Sequence, residues 1–565
     1  MGLYCGAPAG DICRGWLAGR RGKLHERLDH PAIDQPDASG AGATGLGCYV
    51  SIACIADGRS GKQCPDPPSV VWGRHRGTQV GEIEPRETHR HRRVGNVGGC
   101  DQIVVMEWTI TIVISIIGIG LAFARSSWIV DYAVFVFVLN RGLRRLVDFY
   151  VNESFNPLSP ISLTPLIVSG AMAVPLVLGF KRLPGSAKRI FLCLAGAMGY
   201  AFAIGFLNQG FGAVYAFGEV LAPVAMAGYV VSFNAPVSLR DRWIRSFSWA
   251  AILASAYGWY QYLTIPPWDA FWLREVGMIG YMGIPEPTKM SVFSTMGERG
   301  PLASYLGFAL VPMIVSPRWR TFLGWPAVVL VFSTIVLTVS RGGVLIALIG
   351  TLIFLLVNRG AKFGQIALAT VVVGLAVWFG IGLMPGSERL IERFETLGNM
   401  GEDGSFQGRM AIMAGGTGAV LENPLGGGLG ASGLGTRVNT GGTGTTTSFG
   451  DAGYFQIFLV YGIIGSGLLL GALILAWKRL GIYYRVATLR NEHVLLIRAL
   501  MIAMIPACAA GDMLTGFSIF WLALGCGLAV PRSAVAKTIA ILEAAGMGGK
   551  RLDGELAAEK HPSGR

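Results

Sequence analysis

The chain has 565 residues, of which 52% are hydrophobic and only 14% charged, and its mean hydropathy is +0.51. Soluble domains carry about 25% charged residues, so a soluble enzyme is excluded and an all-α polytopic membrane protein is expected. The formal net charge of +13 does not imply nucleic acid, because the cations fall between apolar runs, as they do in the cytoplasmic loops of multi-pass proteins.

Residues 1–103 differ from everything after them. They are rich in Gly, Arg, Asp and Pro and hold six of the nine cysteines and five of the seven histidines. No apolar core lies near Met1, so no signal peptide is read here. The composition predicts a disordered polar tail. Met106 heads the first apolar run, "VVMEWTITIVISIIGIGLAFA", and translation is expected to start at or near it. No C-x-x-C or H-E-x-x-H spacing occurs, so neither a metal site nor a disulfide framework is expected.

A hydrocarbon core needs about 20 apolar residues per helix. Twelve spans are predicted, at roughly 104–124, 161–180, 190–208, 213–233, 246–263, 301–316, 322–339, 342–357, 364–384, 454–477, 495–511 and 513–530. The division that follows is a transmembrane bundle over 104–384 with an outer loop at 264–300, a large loop at 385–453, and further spans over 454–530. A cytoplasmic tail at 531–565 completes it. Basic loops such as "KRLPGSAKR" (181–189), "SLRDRWIR" (238–245) and "NRGAK" (358–362) should be cytoplasmic. Residues 126–150 carry Arg141, Arg144 and Arg145 beside a short apolar run. They are read as re-entrant or interfacial, which puts both chain ends in the cytoplasm and the arginines outside, where an anionic ligand suits them.

The same alternation places Ser340-Arg341-Gly342-Gly343 at the tip of an outward-facing hairpin. Arg341 cannot lose its proton, and at the centre of a spanning helix it would cost roughly 2.5–3.5 kcal/mol. It therefore either snorkels at the interface or meets an anionic partner. In the large loop, "GRMAIMAGGTGAVL" has the apolar spacing of a short helix lying along the membrane. "NPLGGGLG" (423–430) supplies a turn, and "NTGGTGTTTSFG" (439–450) has the composition of a lid. Gly428, Gly430 and Gly433 formally satisfy G-x-G-x-x-G, but no βαβ unit surrounds them, so a dinucleotide site is rejected.

"SRGG" at a span start, then "GRMAIM" and "ENPLGGGLG", then "DAGYFQIFLVYGIIG" leading into the next span, resemble the O-antigen ligase and Wzy-type polymerase superfamily. The resemblance covers roughly residues 300–480. It implies a GT-C-like fold of about 12 transmembrane helices with a large periplasmic loop, in a bacterial inner membrane. It also implies a metal-independent glycosyltransferase with no cofactor, whose donor is an undecaprenyl-pyrophosphate-linked oligosaccharide. A chain-length regulator and export machinery are the further expected partners, besides membrane lipids. Arg341 and Arg409 are the matched positions, and arginines suit a pyrophosphate leaving group because a guanidinium binds phosphate oxygens bidentately.

Arg299, Arg145 and Glu422 are candidate substrate-binding residues. Arg299 also reads as an ordinary helix-end charge. Ligases of this superfamily carry a histidine near the end of the large loop, whereas this chain has Asp451 there and no histidine from 92 to 492. Asp451 is the candidate general base, with a helix N-cap as its other reading. The departure favours a polymerase joining lipid-linked repeat units. A ligase acting on lipid A-core and a lipid-linked glycan flippase are the alternatives.

Overall fold

The computed structural model of the protein describes residues 97–152, 155, 159–358, 404–433, 435–436, 453–485, 491–508, 514 and 518–529, with parts of 364–375. Residues 1–96 of the tail expected at 1–103, the tail expected at 531–565, residues 439–450 and most of the span expected at 364–384 lie outside the described residues, whereas residues 97–103 belong to the first helix. Among the described residues the chain is helical, with no strand and one isolated bridge between Gly283 and Met290.

The bundle opens with α1 (Val97–Phe123) and α2 (Trp128–Val147). A third pass is built from the short helices α3 (Thr164–Gly170) and α4 (Ala173–Gly179), with 3-10 turns at both ends. Pro165 and Pro175, which cannot donate to the preceding turn, accompany that break. Long helices follow: α5 (Gly185–Gln209), α6 (Phe211–Phe233) and α7 (Val237–Thr264). After α8 (Pro267–Glu275) and α9 (Ile279–Met282) come α10 (Arg299–Val315), α11 (Trp325–Leu337) and α12 (Arg341–Val357). The remaining helices are α13 (Gly404–Glu422), α14 (Gly453–Arg485), α15 (Glu492–Cys508) and α16 (Ser518–Leu528).

Five stretches are long and apolar enough to cross a membrane: Val105–Phe123, Pro160–Arg182, Gly185–Gln209, Phe211–Phe233 and Gly453–Arg485. Four more apolar helices are shorter, of 10–17 residues, and include α10, α11 and α12. Twelve full-length spans are thus not what the described residues contain. Their outward faces are apolar, with Leu207 82%, Phe211 80% and Leu178 72% exposed. Lipid rather than water is the solvent such faces require.

Short connections and contacts define two ends of the bundle. At one end Arg242 and Trp243 donate to the Ser127 carbonyl at 2.9 and 2.8 Å, and Arg240 donates to the Cys526 carbonyl at 2.7 Å. Asp241 there accepts from Trp319 at 2.8 Å and lies 3.1 Å from His493 Nε2. This is the basic end. The opposite, loop end gathers the end of α2, residues 265–298, the start of α12 and the segment after α13.

The residues read as re-entrant or interfacial form α2, which runs from one end to the other. Ser127 precedes it at the basic end, while Arg141 reaches the Met296 carbonyl at 2.9 Å at the loop end. Apolar counting misjudged this helix because its charges are paired inside the protein. Asp131 meets Arg242 at 2.7 Å, and Arg145 meets Asp269 at 3.3 Å. As a consequence α1 begins at the loop end, facing α2 through Tyr132 and the Ile114 carbonyl, whereas α16 finishes at the basic end. The two ends of the helical bundle therefore face opposite ways, not the same way as expected.

The segment after α13 is not a free surface turn. α14 breaks at Gly462, whose φ is 61° and ψ −174°. Ile463 N–H leaves its helical partner and donates to the Pro424 carbonyl at 2.9 Å. The carbonyls freed by the break accept in turn: Leu459 from Gly427 N–H at 2.7 Å and Val460 from Gly428 N–H at 3.1 Å. Leu429 N–H completes the seat on the Ala201 carbonyl of α5 at 2.8 Å. Irregular backbone at membrane depth is tolerated only when its polar groups are satisfied inside the protein, and here the exchange of partners does that. Residues 424–430 form a wedge between α5 and α14.

α10 and α12 run parallel and touch through small residues, which is how helices approach closely where no hydrophobic effect drives them together. A Cβ on Gly307 would lie 2.5 Å from the Gly343 carbonyl oxygen, and one on Gly343 would overlap the Ala303 carbonyl. Gly343→Val is expected to push the pair apart at a cost of about 1–3 kcal/mol or more. A lowered melting temperature of the detergent-solubilised protein checks this, and an unchanged one would show that the contact is slack.

Candidate active site at the loop end

Arg299 is the first residue of α10 and Arg341 the first of α12. Because Gly343 sits opposite the stretch from Ala303 to Gly307, Arg299 lies roughly one turn, about 6 Å, beyond Arg341 along the shared axis. Both are half-buried. The Arg299 guanidinium carbon lies over the Tyr281 ring, 3.9 Å from its centroid, a cation–π contact.

The backbone leading into both arginines is strained. Six described non-glycine residues have a left-handed φ, and four of them, Ile265, Thr288, Ser294 and Val339, lie at this end. Val339, with φ 58°, stands two residues before Arg341. A β-branched residue in that region is an outlier costing about 1–3 kcal/mol. Such strain persists only where surrounding contacts over-determine it.

Those contacts are present. Gln261 Oε1 accepts from both Phe293 N–H at 3.0 Å and Ser294 N–H at 2.8 Å. Gln261 Nε2 donates to Asp269 Oδ2 at 2.6 Å, and Tyr257 donates to the same oxygen at 2.8 Å. The other Asp269 oxygen lies 3.3 Å from Arg145 Nε, and Arg145 donates to the Ser294 carbonyl. Val292 N–H donates to the Leu337 carbonyl at 3.0 Å, tying this strap to the end of α11.

The sequence-derived site residues divide as follows. Arg299, Arg341 and Arg145 are brought to one end of the bundle. Arg145, however, is only 1% exposed and sits between Phe293 and Trp272, 4.9 and 5.7 Å from their ring centres. Burial directs it at the strap instead of at an open surface. Glu422 is exposed as the last residue of α13, immediately before the wedge. Arg409 belongs to the same helix, 13 residues earlier, so the two backbone positions are roughly 20 Å apart. Asp451 lies outside the described residues.

Several polar residues of this end were not singled out from sequence. Asp269, Gln261 and Tyr257 belong to stretches that read as an ordinary span and loop. Tyr215 hydrogen-bonds Glu219 one turn along α6 and lies within electrostatic reach of Arg141 and Arg144. Arg144 pairs with Asp148 at 3.5 Å and donates to Ser162 Oγ at 3.0 Å. Polar residues at i and i+4 inside an apolar helix were the available signal for Tyr215 and Glu219.

Residues 326–470 match the family model described as O-antigen ligase. That segment is similar to the O-antigen ligase family. No curated protein matches the chain at a significant level. The O-antigen ligase match takes in α11, α12, α13, the wedge and the first half of α14, roughly a quarter of the chain. Arg341, Arg409, Glu422 and Asp451 fall inside it, while Arg299 and Arg145 fall outside. Residues 326–470 are thus similar to the O-antigen ligase family, and the described residues include five helices long and apolar enough to cross a membrane.

Proposed function

We propose that this protein is an inner-membrane polysaccharide polymerase, joining undecaprenyl-pyrophosphate-linked repeat units at the periplasmic face. The observation that carries the reading is the convergence of Arg299 and Arg341 at the loop end, on a backbone held in a strained shape, with Arg341 inside the family match. In the reaction an acceptor hydroxyl oxygen attacks the anomeric carbon of the donor, and the bond from that carbon to the pyrophosphate oxygen breaks. The electron pair leaves with the pyrophosphate, where guanidinium groups stabilise the growing charge. Arg341 and Arg409 take that role, with Arg299 as a third binding group. Asp451 receives the acceptor proton, and Glu422 orients the acceptor glycan.

Polymerase is preferred because the large loop ends in "SFGDAGYF", with a carboxylate and no histidine from 92 to 492. The family description favours the second reading, a ligase that passes the glycan to lipid A-core. Deleting the coding region in the native host separates them. Loss of long polymer, with single repeat units still reaching the outer face, is the expected outcome. Long polymer stranded on its lipid carrier would establish the ligase, and single units trapped on the inner face would mean a flippase.

A further inference from the structure

The strap over residues 288–298 has little regular structure of its own, yet it sets where α10 begins. It contains two non-glycine residues with left-handed φ, Thr288 and Ser294, and a third left-handed position at Gly297. Its backbone is held chiefly from outside. Gln261 accepts from two consecutive amides, Arg145 donates to the Ser294 carbonyl, and Arg141 donates to the Met296 carbonyl. Asp269 is the hinge of this arrangement, because it is fully buried and meets both Gln261 and Arg145.

We propose that Asp269 is a positioning residue that fixes Arg299 and Arg341 relative to each other. It acts through Arg145 and Gln261, which hold the strap in its strained conformation. The strap passes this constraint forward to Arg299 at the start of α10. It passes it sideways to Arg341 through the bond from Val292 N–H to the Leu337 carbonyl, ahead of the strained Val339. A buried charge pair suits such positioning, since the carboxylate faces the guanidinium Nε while Nη2 reaches the carbonyl of Ser294, a left-handed position of the strap. Arg145 on this assignment never touches the glycan donor. The inference rests on the proposed function only in taking Arg299 and Arg341 as the groups that act.

The test uses the full-length protein in lipid nanodiscs, with Glu298→Cys and Ser340→Cys carrying nitroxide labels beside the two arginines. The unsubstituted background should give one narrow distance between the labels. Asp269→Asn should broaden that distribution at least twofold. In unlabelled protein it should lower kcat for transfer from the lipid-linked donor tenfold or more, with KM changed less than threefold. An unchanged distribution, or an unchanged kcat beside a broadened one, overturns the proposal. Arg145→Lys keeps a charge opposite Asp269 but loses the fork to the Ser294 carbonyl, so it carries the same two arms if Asp269→Asn does not accumulate. Should the unsubstituted protein transfer no glycan, the polymerase reading falls, while the distance measurement still decides the positioning role.

Discussion

Arg341→Ala is expected to lower glycan polymerisation at least about 100-fold while leaving the protein in the membrane at its normal level. The size of the effect follows from where the charge develops. Removing one donor aimed at a transition-state oxyanion typically costs about 100- to 1000-fold in kcat, and a guanidinium facing a phosphate belongs at the upper end of that range. Arg341 is half-buried at the first position of α12, two residues before the close contact at Gly343. Arg341→Lys keeps the charge but loses the planar fork, and should recover only part of the rate. Gel sizing of lipid-linked glycans, beside an immunoblot of the membrane fraction, reads both quantities. Normal polymer from a well-accumulated Arg341→Ala protein would refute the role given to this residue.

Gly428→Ala should be among the most damaging single substitutions in the chain. Gly428 has φ 78°, where an alanine costs about 1–2 kcal/mol. An added Cβ would also fall on the Gly205 backbone nitrogen of α5, a neighbour that cannot rotate out of the way. With an overpacking cost of about 1–3 kcal/mol, the sum is of order 2–5 kcal/mol, a large fraction of what usually holds a domain together. Gly433 supplies the control. Its φ is 75° but nothing lies within 4 Å of an added Cβ, so Gly433→Ala carries the backbone cost alone. Thermal unfolding in detergent, followed by size exclusion, should show Gly428→Ala melting well below Gly433→Ala. Equal melting would mean that the wedge is not seated between α5 and α14.

The long apolar helices were legible in the sequence because composition alone specifies them. α5, α6 and the first part of α14 fall where hydropathy put them. α2 was not, since a linear count cannot know that Asp131 and Arg145 meet Arg242 and Asp269 inside the bundle. Glycines 426–428 were recognised as unusual, and a turn was the natural reading. Their use as a wedge depends on the break at Gly462, which no local pattern announces. Arg341 and Arg299 were picked out from sequence as candidates by charge and placement, Arg341 also by the family resemblance. The strap that orients them was invisible, because its holders, Gln261, Asp269 and Arg145, come from three separate segments and share no periodicity.

Purified protein in lipid nanodiscs, given only the host's undecaprenyl-pyrophosphate-linked repeat units, tests the central claim most directly. The expected result is a ladder of lengthened lipid-linked glycans, with one undecaprenyl pyrophosphate released per bond formed, and no ladder from Arg341→Ala protein. No lengthening, with transfer appearing only when lipid A-core is added, would contradict the polymerase assignment and make the protein a ligase.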